Sequence, residues 1–168
     1  SMGTPGDSII TAGIIVVKQL TDLDTMEADF TKGKIVLFNR AMNPVLINTG
    51  SAYGGANDQR GRGAIAASRV GAIGALVRSL THSLDTLPHT GAMYYSEDVK
   101  RIPAAAISTV DARKLAALFK EDANLRVSFI MNCTALPDVE QGNVIGEWTG
   151  AEFPNEIITL GGPLDSWD

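Results

Sequence analysis

One cysteine in 168 residues, Cys133, excludes an internal disulfide and a thiolate cluster for zinc. It leaves the compartment open, because disulfide-free chains serve in the cytosol and the periplasm alike. Positive charge is also scarce: 14 Lys and Arg stand against 19 Asp and Glu, for a net charge of −5. The basic residues are scattered singly from Lys18 to Arg126, so no stripe exists to hold a phosphate backbone, and nucleic acid is not an expected partner. Long apolar runs are missing too. Ala12 to Val17 is short, and Ala64 to Val77 is interrupted by Arg69 and Gly71, below the roughly 20 residues of a membrane span. Ser1 to Asp7 has no basic region followed by an apolar stretch, so no signal peptide is legible. Either the chain is cytosolic or a leader lies outside it, and whether Ser1 and Met2 are native is open.

What remains is a composition of 45% hydrophobic and 20% charged residues, that of a soluble folded chain about one domain long. Ile14 to Lys18 is a β-branched run and predicts a buried strand. Thr21 is placed to cap a short helix through Ala28, with Asp22 and Asp24 in its first turn. Lys34 to Phe38 is the next strand, introduced by Lys32 and Gly33. Asn39 to Gly63 is rich in Gly, Asn, Ser and Asp without apolar periodicity, which predicts a long surface loop.

Small residues from Gly63 to Val70 suit a helix packed closely on a sheet, stopped by Gly71, and Ala72 to Ser79 follows as a strand. A second loop, Leu80 to Arg101, carries both histidines, His82 and His89, together with Tyr94 and Tyr95. Ile102 to Ser108 is a short strand, and Ser108 or Thr109 caps a helix from Val110 to Lys120. Leu125 to Cys133 alternates as a half-buried strand does. The expectation is an α/β unit: a mixed sheet or open barrel flanked by short helices, spanning residues 1–135.

Residues 136–168 differ. A polar connector with Pro137 leads to two expected strands, Asn143 to Trp148 and Glu156 to Leu160, joined by a turn over Gly150 to Asn155. A lone strand pair cannot bury enough apolar area to be stable, so truncation of a larger domain is the expectation.

Several segments carry a family resemblance. Gly3-Thr4-Pro5, Lys34 to Asn39 (KIVLFN), Arg62-Gly63-Ala64, Pro88-His89-Thr90-Gly91 and Ile102 to Ile107 (IPAAAI) resemble the protease-associated domain of the plasma glutamate carboxypeptidase family of zinc exopeptidases and its bacterial relatives. Asn143 to Glu147 and Ile157 to Asp168 (IITLGGPLDSWD) resemble the point where that family's two-zinc aminopeptidase-like fold resumes. The family motif reads Gly-Gly-His-Leu-Asp-Ser-Trp-Asp, and its histidine binds zinc. Here Pro163 stands at that histidine, and proline offers no side-chain donor. Asp165 matches the carboxylate that orients the histidine in the family. The family's other ligands and its glutamate base lie beyond Asp168. Whether Pro163 is natural or introduced is open.

The resemblance therefore implies no catalytic residue and no metal in this chain, with zinc belonging to a secreted or periplasmic parent hydrolase. Its expected function is that of an accessory domain bordering the active-site cleft and controlling access of small peptides. The expected partner is the remainder of the peptidase domain, with self-association left open. Tyr53, Arg60, His89 and Tyr94, from the two long loops, are the candidate substrate-facing residues. The alternative is an independent peptide- or protein-binding module using the same loops.

Other constellations have plainer readings. His82 and His89 with Asp85 suggest a metal clip, yet loop histidines commonly face solvent. No Gly-x-Ser-x-Gly elbow surrounds Ser83 or Ser96. Gly50 to Gly63 lacks the spacing of a phosphate cradle and reads as a flexible rim. Asp22, Asp24, Glu27 and Asp29 do not follow a calcium-loop spacing. Trp148 and Trp167 read as partly buried packing groups at strand ends.

Overall fold

The computed structural model describes residues 3–4, 8–134 and 136–164. Pro5, Asp165 and Trp167, singled out above, lie outside the described residues. The chain divides into two units, Ser1–Thr134 and Ala135–Asp168.

The first unit is built on a five-stranded mixed sheet flanked by helices, the mixed α/β class expected. Its strands are β1 (Ile10–Val17), β2 (Ile35–Phe38), β3 (Gly74–Arg78), β4 (Ala104–Ile107) and β5 (Arg126–Phe129), ordered β4-β3-β2-β1-β5. The first four are parallel neighbours, with Ile14 opposite Ile35, Ile35 opposite Gly74 and Ala75 opposite Ala104. β5 returns antiparallel along β1, placing Thr11 opposite Ser128. Parallel strands are covered on both faces, so they read as unbroken apolar runs, and every residue of β2 and β3 is buried. All four parallel strands end at the same sheet edge.

Three helices and one 3-10 turn cover the sheet: the turn over Leu20–Thr25, α1 (Ala28–Thr31), α2 (Thr49–Arg69) and α3 (Thr109–Glu121). On one face Ile15, Val17, Val36, Phe38, Ala75 and Val77 pack with Ala64 and Ala67 of α2 and Leu23 of the 3-10 turn. On the other, Ala12, Ile14, Ile35, Leu37 and Leu76 pack with Leu115 and Phe119 of α3 and with Phe129 of β5. The unit's two ends run side by side: the Thr4 amide donates to the Met131 carbonyl at 2.9 Å, and Thr4 is buried.

The largest departure from expectation is α2. The predicted loop Asn39 to Gly63 stops at Asn48, whose side chain accepts the Ser51 amide at 3.0 Å and starts a 21-residue helix. The glycines that argued for a flexible rim are helix interior. Composition misled because the buried side of α2 is Ala52, Ala56, Gln59, Gly61, Gly63, Ala64 and Ala67 rather than leucines. Tertiary packing overrides the poor intrinsic propensity of the glycines among them. Gly63 lies against the Phe38 ring, where a Cβ would sit 2.9 Å from Cε2. Buried Gln59 copies a backbone strand pair, accepting the Arg40 amide at 3.1 Å and donating to the Arg40 carbonyl at 2.7 Å.

The predicted helix from Thr21 to Ala28 is instead a 3-10 turn followed by α1. Asp22 explains the difference, since its carboxylate reaches back to the amides of Gln19 (2.8 Å) and Lys18 (2.9 Å) and tightens the entry. The predicted strand Leu125 to Cys133 pairs only over Arg126–Phe129, the stretch that faces β1.

In the second unit the two expected strands do not form; among the described residues 136–164 there is neither strand nor helix. A strand needs a partner edge, and Val144, Ile145, Ile157, Ile158 and Leu160 are each at least 85% exposed. Trp148 is likewise exposed, not the packing group predicted.

Candidate functional site

The sheet places the candidate residues by its topology. The segments leaving β2 and β3 emerge from the same edge, and the loop 80–101 then lies along α2. Ser79, following β3, receives the His89 amide on its hydroxyl at 2.8 Å and donates that hydroxyl to the Ile107 carbonyl at 2.8 Å. Farther along, the Tyr94 amide donates to the Gly61 carbonyl at 2.9 Å, and Ser68 donates to the Lys100 carbonyl at 2.5 Å. Arg69 and Asp98 form an ion pair at 3.0 Å. The loop is therefore pinned to one flank of α2 from Arg60 to Arg69.

Arg60 is the centre of this contact. Its guanidinium lies over the Tyr53 ring, 5.2 Å from the centroid, and hydrogen-bonds the Tyr53 hydroxyl. It also donates to Asn57 Oδ1 at 3.3 Å and to the Thr90 carbonyl at 3.3 Å. Gly91 abuts the same guanidinium so closely that a Cβ would collide with it. A side chain at the last residue of the Pro88-His89-Thr90-Gly91 segment would displace the Arg60 guanidinium from this position. The Tyr94 ring touches Gly61, the residue is 63% exposed, and its backbone N–H is held on the helix by the Gly61 carbonyl. His89 faces Asp85, with Nε2 and Oδ2 3.2 Å apart.

Arg60 thus links Tyr53 to Thr90, the neighbour of His89, while Tyr94 is seated one residue along the helix at Gly61. The correction to the expectation is their support: Tyr53 and Arg60 belong to α2, not to a loop. The backbone between His82 and His89 is fixed elsewhere. Thr109 Oγ1 accepts the Asp85 amide at 3.0 Å and donates to the Ser83 carbonyl at 2.9 Å. Asn57 and Arg78 escaped the sequence reading. Asn57 is one helical turn from Arg60, visible only once α2 is known to be a helix. Arg78 closes an apolar strand, and a lone charge after GALV is its only signal.

Among the described residues no three His, Cys, Asp or Glu side chains gather as a metal set would. Pro163 is exposed and its side chain is all carbon, so the residues present do not fit the zinc that the motif at 161–168 implies.

With this geometry in place, the chain was compared with known proteins. It is 34% identical to carboxypeptidase Q of Xenopus laevis and 32% identical to that of Homo sapiens, in both cases over all 168 residues. A crystal structure of a peptidase M28 precursor from Shewanella amazonensis SB2B superposes on 76% of the chain with a TM-score of 0.68 and 37% identity. The chain is a homologue of the M28 peptidases. It spans about a third of the length of the carboxypeptidase Q relatives, 34%, and 28% of the M28 precursor chain. No family model matches it. The M28 homology makes this a peptidase-related chain and agrees with the family named from the sequence motifs.

Proposed function

We propose that the first unit is the protease-associated portion of an M28 zinc exopeptidase and performs no hydrolysis itself. In this reading it borders the cleft of the parent enzyme and limits which small peptides enter. One observation carries the proposal: the whole chain aligns with only a third of carboxypeptidase Q. The absence of any donor at Pro163 supports it. Arg60, Tyr53 and Tyr94 are the groups assigned to the cleft side, with His89 beside them. Arg60 supplies positive charge already oriented by Asn57 and Thr90, and exposed Tyr94 supplies an apolar face with a polar tip. The second unit is assigned to the rest of the peptidase domain, whose sheet would supply the edge that 143–148 and 156–160 lack.

The test has two arms. The purified chain is assayed on dipeptides and amino-acid amides with zinc added, and turnover above a metal-free blank overturns the non-catalytic reading. In the parent enzyme, Tyr94→Ala and Arg60→Ala are expected to raise KM for small peptides several-fold with little change in kcat. Unchanged KM in both variants removes these residues from the cleft.

A further inference from the structure

A second cationic group stands apart from the Arg60 cluster. Arg78 is the last residue of β3 and points to the α3 side of the sheet, the side shared by Leu76. Only 7% of its surface reaches solvent. Arginine is rarely buried to this degree without a carboxylate, because removing a full charge from water costs several kcal/mol unless an opposite charge compensates. Arg78 has no such partner among the described residues. One terminal nitrogen, Nη1, makes two long bonds to neutral oxygens, Asn39 Oδ1 at 3.4 Å and the Thr109 carbonyl at 3.3 Å. Nε is enclosed and has no acceptor at all. The other charge felt here is Arg113 on α3, of the same sign; burial first and Arg113 second lower the pKa of Arg78 below the ordinary arginine value. The acid of α3 nearest in sequence, Asp111, is engaged by the Ser108 hydroxyl at 2.7 Å.

The surroundings make a receptor rather than a packing accident. Asn39 follows β2, Arg78 ends β3 and Thr109 follows β4, so three adjacent parallel strands deliver polar groups to one point on their carboxyl edge. That edge is where parallel sheets commonly take ligands. Guanidinium binds carboxylate through two parallel N–H bonds. Of its five N–H groups, only those on Nη1 are engaged by the described residues.

We propose that Arg78, with Asn39 beside it, is a carboxylate-binding site whose acid comes from outside the described residues. The acid is either an Asp or Glu side chain of a covering protein surface or the terminal carboxylate of a peptide. The proposal does not depend on the role assigned to Arg60.

Thermal unfolding of the whole 168-residue chain tests it. Sodium acetate is compared with sodium chloride at matched ionic strength and neutral pH, for the wild type and for Arg78→Gln. Acetate is expected to raise the wild-type midpoint saturably by about 3 °C at tenfold over half-saturation, and to leave Arg78→Gln at its chloride value. Equal responses in the two proteins overturn the site. Should Arg78→Gln not fold, the Arg78 Nε–Hε signal of the wild type in a nitrogen-15 spectrum replaces it. A saturable acetate shift absent with chloride upholds the site, and no shift overturns it. Diglycine and its C-terminal amide distinguish the sources. Half-saturation by diglycine at least tenfold below acetate, lost on amidation, assigns a peptide terminus; parity with acetate assigns a protein side chain.

Discussion

Five glycines in α2 invite one experiment in which the same substitution has opposite signs at different places. Gly54 and Gly55 are exposed, and a Cβ on either meets nothing within 4 Å. Replacing an exposed helix-interior glycine by alanine gains about 1 kcal/mol of propensity, so each of Gly54→Ala and Gly55→Ala should stabilise the chain by roughly 0.5–1 kcal/mol. Gly63→Ala has the same propensity gain but drives a methyl against Phe38, at 2.9 Å from Cε2 and 3.0 Å from Cδ2. Phe38 is fully buried, with Val17, Val36 and Val77 in the same cluster, so the ring has little room to yield. Overpacking of this kind costs about 1–3 kcal/mol. The net is therefore a loss of up to about 2 kcal/mol, or several degrees in the unfolding midpoint. Urea unfolding at constant m-value is the assay. A double variant, Gly63→Ala with Phe38→Leu, should show a coupling of at least about 0.5 kcal/mol in the relieving direction. Equal stabilisation at Gly54 and Gly63 would mean that α2 does not press on the sheet as described. Destabilisation at Gly54 would mean that the helix does not extend there.

Three further expectations are sharp enough to fail. Gln59→Leu leaves the Arg40 amide and carbonyl unpaired beneath α2, and should cost about 2–4 kcal/mol in urea unfolding; a cost under 1 kcal/mol refutes the backbone-mimic role. Asp22 is held below the usual carboxylate range, chiefly by the Gln19 amide and then the Lys18 amide. Its contribution is therefore complete above the unfolded-state value near pH 4 and is lost as pH falls through the lower folded value, so Asp22→Asn should flatten the acid limb of the stability profile. Amide hydrogen exchange in dilute solution should be fast over 143–160 and slow over 35–38, since the former is exposed and the latter buried on both faces; comparable protection would contradict the absence of strands there.

Where the sheet is buried on both sides, its strands were legible, because unbroken apolar runs such as IVLF and GALV leave few other readings. α3 was equally plain: Ser108 caps it, accepting the Asp111 amide at 3.0 Å, and Leu115 and Phe119 mark its inner face. The first half of α2 was not legible, because Gly54 and Gly55 face open space and the buried Ala52 and Ala56 are too small to give an amphipathic signal. The tail failed for the opposite reason. Val144, Ile145, Ile157 and Ile158 have strand propensity, but propensity without a neighbouring edge makes no ladder. The candidate cluster was found through loop composition, yet its organising residue sits on a helix. Arg78 left only one charge in an apolar run as its trace.

The pairing of Thr4 with Met131 means that the first unit begins and finishes at almost the same point in space. A protein whose ends meet behaves like a closed ring with one cut, and the position of the cut is largely arbitrary to its packing. Joining the two ends would tax the unfolded chain's entropy without disturbing a native contact, while a new opening in the exposed stretch around Leu84 to Leu87 would break no strand pair. The same closure lets such a unit be set into a host fold at a single surface turn, with the host's two flanking residues kept within a few ångströms of each other.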